Sequence, residues 1–259
     1  MEHSWPSIRI AVAAHKPYWM PDDPMYVPVQ AGAIGKETIE GYQRDDEGDG
    51  GISALNPHLS ELTVLYWAWK HLEAESIGLS HYRRQFAGSG KRGVLTHEQA
   101  EELLKKSPVV VPKSRNYMIE TVGAHFDHTH GSETLDLLLQ VVADRSPNSI
   151  PALYRKLSDT RMHMFNMFIM RRDLLDAYCS WMFPIVCEIE KRVDYSTASS
   201  YEARMPGRLS EFLLDTWLET ESIAYAECPL HDMDPVNWVQ KGGSFMAAKF
   251  LGKEYTASF

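Results

Sequence analysis

The chain has 259 residues, of which 44% are hydrophobic and 24% charged, and its formal net charge is −9. This is the composition of an ordinary soluble protein long enough to bury a core. The acidic balance excludes a general nucleic-acid binder, because phosphate backbones reward a cationic surface.

Ile8–Ala14 reads as a buried strand, ended by His15-Lys16-Pro17 because proline cannot continue a central strand. Residues 18–53 read as a long loop rich in Pro, Asp and Gly, of a length that usually carries function. Asn56-Pro57 opens a helix predicted to run to about Glu75, with Leu62, Leu65, Tyr66, Trp69 and Leu72 at helical spacing. Residues 77–80 form a second buried strand, residues 96–106 an amphipathic helix capped by Thr96, and Val109–Pro112 a third strand. Residues 121–130 are His-rich, and residues 132–144 read as a helix. A buried strand is predicted over 162–170, helices over 171–191 and 208–220, and a last strand over 223–229. Strands alternating with helices predict an α/β fold with a mixed central sheet flanked by helices. Residues 8–230 are expected to form one α/β domain and 231–259 a C-terminal extension.

Cys179, Cys187 and Cys228 match neither a disulfide framework nor a zinc spacing, which points to a reducing, cytoplasmic setting. No apolar run reaches the length of a bilayer, and the N-terminus does not read as a secretion signal. No Gly-x-Gly-x-x-Gly, Walker lysine motif or Gly-x-Ser-x-Gly elbow is present, which weakens dinucleotide, P-loop and serine-hydrolase readings.

The most informative stretch is residues 77–86, where an apolar strand gives way to His81, Tyr82, Arg83 and Arg84. Adjacent arginines at a strand end need anions if they are to be buried, and open α/β sheets hold anionic ligands at that edge. The alternative is a solvated basic turn. Arginine pairs bidentately with phosphate, so these guanidinium groups suit a departing diphosphate without a metal ion. The histidines 125, 128 and 130 have letters that suit a transition metal, and His125 or His128 also suits a sugar hydroxyl; the plainer reading is a polar surface. Asp232-Met-Asp234 has the letters of a divalent-cation handle but lies late in the chain. Asn166 sits in an otherwise apolar run and must be hydrogen-bonded there. Glu211 follows Arg204-Met-Pro-Gly-Arg-Leu-Ser at a helix start, where it reads as a cap or as a general base. The helix dipole is expected to keep it ionised and a weak base.

Together, Ala14-His15-Lys16, Ile52-Ser53-x-x-Asn56-Pro57, Glu61-Leu-Thr with Tyr66-Trp-Ala-Trp69, residues 77–84, residues 166–170, and Arg204 through Gly207 to Glu211 form a pattern. It resembles the bacterial capsular and exopolysaccharide glycosyltransferase domain long known only as a domain of unknown function, some members of which look like galactofuranosyltransferases. The resemblance spans about residues 8–229. It implies a modified GT-A-like fold and transfer of a hexosyl group from a UDP-sugar, UDP-galactofuranose among the candidates. The acceptor it implies is a glycan or lipid-linked glycan in capsule, exopolysaccharide or O-antigen synthesis. No cofactor or metal is expected beyond the UDP-sugar donor, and peripheral association with a membrane-bound polysaccharide assembly at the inner membrane face is implied. On this reading Glu211, His81, Arg83 and Arg84 are catalytic. Ala14, His15, Lys16, Asp49, Ser53, Asn56 and Tyr82 hold the donor, and Asn166, Arg204, Gly207 and His128 face the acceptor. The rival readings are a metal-dependent hydrolase built on His125, His128 and His130, and a non-catalytic nucleotide- or glycan-binding module.

Overall fold

A computed structural model of the chain describes residues 7–234. Its strands are β1 (Ile8–Ala14), β2 (Tyr26–Gln30), β3 (Gln43–Arg44), β4 (Ser76–His81), β5 (Arg84–Phe86), β6 (Val109–Pro112), β7 (Arg115–Asn116), β8 (Arg161–Met162), β9 (Phe168–Arg171), β10 (Ala226–Cys228) and β11 (Leu230–Asp232). Its α-helices are α1 (Asn56–Leu59), α2 (Leu62–His71), α3 (His97–Lys106), α4 (Val122–His130), α5 (Ser132–Arg145), α6 (Ile150–Ser158), α7 (Arg172–Arg192), α8 (Met205–Leu209) and α9 (Glu211–Thr220).

The central sheet runs β10-β6-β9-β4-β1-β2-β3, with β5 attached to β4 and β11 to β5. Strand β1 is parallel to both β2 and β4, and β10 to β6, whereas β9 runs against β4 and β6. The carboxyl ends of β1, β2, β4, β6 and β10 therefore share one edge with the amino end of β9. That edge carries the candidate site, where open α/β sheets take their ligands.

Both faces of the sheet are covered. Along β1, Ile8, Ile10, Val12 and Ala14 join one buried cluster with residues of α3, while Ala11 and Ala13 join the larger cluster formed with α2, α5, α7 and α9. This is the period-two alternation of a pleated strand with an apolar layer on each side. Gly78 lets β4 and β9 come together: a Cβ there would lie 2.7 Å from the Phe168 carbonyl oxygen. Among the described residues no helix is long and apolar enough to cross a membrane.

The expected α/β architecture is present, and several element boundaries differ. The 18–53 segment is not all loop, because β2 and β3 extend the sheet in parallel beyond β1. The predicted helix over 56–75 breaks at Ser60, whose φ is 50°, where Asn56 Nδ2 donates to the Ser60 carbonyl at 2.8 Å. The run 162–170 is not one strand: Met162 ends β8, Phe168 begins β9, and Phe165 and Asn166 lie between them with φ of 78° and 52°. The helix over 208–220 is two, α8 and α9, joined at Ser210. Helix α6 had no counterpart in the sequence reading. The boundary expected after residue 230 falls inside β11, and residues 235–259 of the expected extension lie outside the described residues.

Candidate active site at the carboxyl edge of the sheet

The floor of the site is the 163–166 turn. Its two consecutive positive φ values belong to non-glycine residues, Phe165 and Asn166, a strain that persists only where surroundings over-determine it. Here they do. The Phe165 amide donates to Glu211 Oε2 at 3.0 Å, and the Phe165 carbonyl lies 2.9 Å from His81 Nε2. Asn166 Nδ2 donates to Glu61 Oε1 at 2.7 Å and to Ser210 Oγ at 3.0 Å. The turn thus gathers His81 from the end of β4, Glu61 from the start of α2, and Glu211 from the first turn of α9.

Burial raises the Glu211 carboxyl to about 7; the Phe165 amide opposes the shift, and the nearby Glu61 carboxylate adds to it. The expectation that the helix dipole holds Glu211 ionised is corrected: desolvation outweighs the dipole and the amide together. The resulting group is half-protonated near neutrality, a stronger base than an exposed carboxylate. Its Oε1 has no hydrogen-bond partner among the described residues. Burial lowers the His81 imidazole, with Glu61 opposing and Arg84 reinforcing the shift, so His81 stays neutral at pH 7.

The rim is cationic. Tyr82 and Arg83 form the tight turn between β4 and β5. The Arg83 guanidinium donates to Tyr82 Oη at 2.8 Å, and Lys16 Nζ lies 5.9 Å from the Tyr82 ring. Arg84 stacks its guanidinium 3.8 Å from the Phe165 ring and pairs with Asp232 at 2.8 Å. His15 is lowered by burial first, then by the charges of Arg83, Lys16, Arg204 and Lys36, cations drawn from the end of β1, the β4–β5 turn, the α8 entrance and the β2–β3 connection.

Not every residue singled out from the sequence belongs to this cleft. His15, Lys16, Tyr82, Arg83, Arg84, His81, Asn166, Arg204 and Glu211 gather at this edge of the sheet through the contacts above, and Ala14 is buried at the end of β1. Ser53 and Asn56 serve the scaffold. Ser53 Oγ donates to the buried Asp45 at 2.6 Å, and that carboxylate accepts from the amides of Gly32 and Ala33 and from Thr63 Oγ1 as well. Asn56 Nδ2 donates to Thr63 Oγ1. Asp49 is exposed beside Gly48, which lies against His71 at the opposite end of α2 from Thr63, away from the cleft. Gly207 is small because α8 crosses α1 closely: a Cβ would sit 3.2 Å from the His58 carbonyl oxygen. His128 points to solvent, 3.8 Å from Glu120, which also approaches His125 at 3.3 Å. His130 packs instead on Phe126 and Tyr201. Among the described residues no group of His, Cys, Asp and Glu is arranged to hold a metal ion.

The sequence reading missed Glu61, Phe165 and Lys36 as residues of this site, and also Arg208, whose charge opposes the rise of Glu211. Glu61 carried a signal, because it lies in the pattern with Leu62 and Thr63. Phe165 had none, since only tertiary structure gives it a positive φ.

The family model described as "Domain of unknown function (DUF4422)" matches residues 9–222, which include all of these residues except Asp232. The chain belongs to the DUF4422 family. The fold of this DUF4422 chain is similar to the solved apo structure of WbbM, a bifunctional glycosyltransferase, with a TM-score of 0.80 at 21% sequence identity. The match covers 88% of the DUF4422 chain and 46% of WbbM, so the chain spans less than half of that protein. No curated protein matches it.

Proposed function

We propose that the chain is a glycosyltransferase that moves a hexosyl group from a UDP-sugar, UDP-galactofuranose among the candidates, to a glycan acceptor of capsule, exopolysaccharide or O-antigen synthesis, without a metal ion. The observation that carries the reading is Glu211, a carboxylate raised to about 7 on the floor of a cleft rimmed by Lys16, Arg83 and Arg84. The fold shared with WbbM supports it.

In this reading the acceptor hydroxyl gives its proton to Glu211 as its oxygen attacks the anomeric carbon. The bond from that carbon to the diphosphate breaks, and the leaving UDP takes the electron pair. Arg83 and Arg84 stabilise the charge that develops on the diphosphate, as fixed cations do where a metal ion is not used. Neutral His81, hydrogen-bonded to the Phe165 carbonyl, positions the floor of the cleft rather than adding charge.

The test is a thermal-shift screen against nucleoside diphosphates and their sugars, with and without EDTA, since a ligand of the native state raises its melting point. UDP is expected to stabilise the protein equally in both conditions, and Arg83→Ala with Arg84→Ala to remove the shift. Stabilisation that appears only with a divalent cation, or survives in the double variant, would overturn the reading.

A further inference from the structure

Arg208 lies one turn before Glu211, at the junction of α8 and α9. Its side chain is half-buried, and its guanidinium is stacked 3.6 Å from the centre of the Tyr201 ring. Among the described residues it has no hydrogen bond and no ion pair, unlike Arg44, Arg84, Arg172 or Arg192, each of which grips a carboxylate. A guanidinium has five N–H donors and cannot lose its charge in a protein, so leaving it partly desolvated without an anion is costly. Contact with the Tyr201 ring holds the guanidinium in place, and the N–H groups that fork onto a carboxylate or phosphate have no partner among the described residues.

The neighbours reinforce this. Arg204, one turn earlier, is exposed and also without a hydrogen bond or ion pair among the described residues. His130 also packs on Tyr201, with ring centres 5.8 Å apart. Burial and then the charge of Arg208 push this imidazole down to about 4, so it is neutral at pH 7 and brings no third positive charge. The nearest acidic group along the chain is Glu211, at the start of α9: the Arg208 charge favours its ionised form against the effect of burial, yet the two form no hydrogen bond or ion pair, and the proposed reaction needs Glu211 as a base rather than as a counter-ion.

We infer that Arg208, held over Tyr201 and backed by Arg204, is a receptor for an anionic group on the acceptor, a carboxylate or a phosphate. The inference rests on the reading of Glu211 as the base. Arg208 near the end of α8 and Glu211 at the start of α9 are three residues apart across Ser210, whose φ of −64° and ψ of −22° are helical, so the two side chains leave adjacent turns of the chain. The anionic group and the reacting hydroxyl therefore belong to the same sugar unit or to adjacent ones. A uronic acid and a sugar phosphate both satisfy this chemistry, whereas a neutral hexose leaves Arg208 without its anion.

The experiment is calorimetric titration of the full chain, with and without saturating UDP, using glucuronate, glucose 1-phosphate and neutral glucose as probes. At least one anionic probe is expected to bind together with UDP and more tightly than glucose. Arg208→Ala should weaken that probe by about tenfold or more, the scale of a lost charge-assisted hydrogen bond. It should leave the affinities for UDP and glucose unchanged, and Arg208→Lys should restore part of the loss. Which of the two anions binds separates carboxylate from phosphate. If neither outbinds glucose, or if Arg208→Ala loses UDP along with the anion, the receptor assignment is overturned. Failure of UDP to bind at all sinks the donor reading instead, and the titrations without nucleotide still decide the fate of Arg208.

Discussion

Glu211 stands in the first turn of α9, where a helix dipole favours the charged form, yet its carboxyl is raised to about 7 because burial comes first among its influences. An acid raised in the folded state contributes stability that is fully present below its unfolded value near 4.5 and is lost as pH climbs through 7. Over that window the rise corresponds to about 3 kcal/mol. Glu211→Gln keeps an acceptor for the Phe165 amide and removes the titration. The variant is expected to melt close to wild type at pH 4 and clearly above it at pH 8, and parallel melts across that range check this. Turnover should move the other way. Wild-type activity is expected to rise through pH 7 as the base ionises, and Glu211→Gln to lose about a hundredfold or more. A wild-type rate that is flat from pH 5 to 8 would remove Glu211 from the chemistry.

At the scale of elements, the 163–166 turn is held from several directions. One turn along α9 from Glu211, Asp215 accepts from the His163 amide at 3.0 Å and contacts His163 Nδ1, while His163 Nε2 lies 3.1 Å from Glu227 of β10. A neutral imidazole has one N–H and serves only one of these carboxylates, so both contacts are satisfied only by the imidazolium. Burial lowers His163, but Asp215 and Glu227 outweigh it and the net shift is upward. A histidine raised on folding gives stability that is fully present below 6.5 and fades as pH rises through the folded value. His163→Gln should therefore cost most in mildly acidic solution and least in alkaline solution, and His163→Ala about 3–5 kcal/mol where the imidazolium is fully formed. Chemical denaturation at several pH values measures both, and a deficit that grows toward alkaline pH would refute the pin. This turn also marks the limit of what the sequence displays. Strand β1, the Thr96 cap of α3 and strand β6 follow from local spacing, and all three lie where the residues predict. The 163–166 turn does not, because Glu211, Asp215, Ser210 and Glu61, which impose it, stand 46, 52, 44 and 105 positions away from the residues they bind. Likewise Asp45 looks like part of an acidic loop until Gly32, Ala33, Ser53 and Thr63 are seen to enclose it.

Across the whole molecule, a net charge of −9 coexists with a cleft edge built from Lys16, Lys36, Arg83, Arg84 and Arg204. The acidic surplus reaches that edge at the carboxyl end of the described chain. Strand β11 adds to β5, Asp232 pairs with Arg84, and Asp234 contacts Tyr18 and approaches Arg83. Segments from the first strand, the β4–β5 turn and the last strand thus meet around the same guanidinium groups. In the proposed reaction a diphosphate competes with these carboxylates, and their geometry ranks them. The Arg83–Asp234 pair is 3.9 Å apart with both side chains 56% exposed, so solvent screens most of its attraction. The Arg84–Asp232 pair is 2.8 Å apart with Arg84 only 17% exposed, and it is the one a ligand has to displace. An exposed or half-exposed pair contributes about 0–1 kcal/mol, which limits the effect to about fivefold. Asp232→Asn is expected to tighten UDP binding by a few-fold at low salt, with the gain shrinking as salt screens the pair, while Asp234→Asn changes little. Calorimetric titration of both variants at low and high ionic strength reads the difference directly. Weaker UDP binding by Asp232→Asn would show that the carboxylate orients Arg84 for its ligand rather than competing with it.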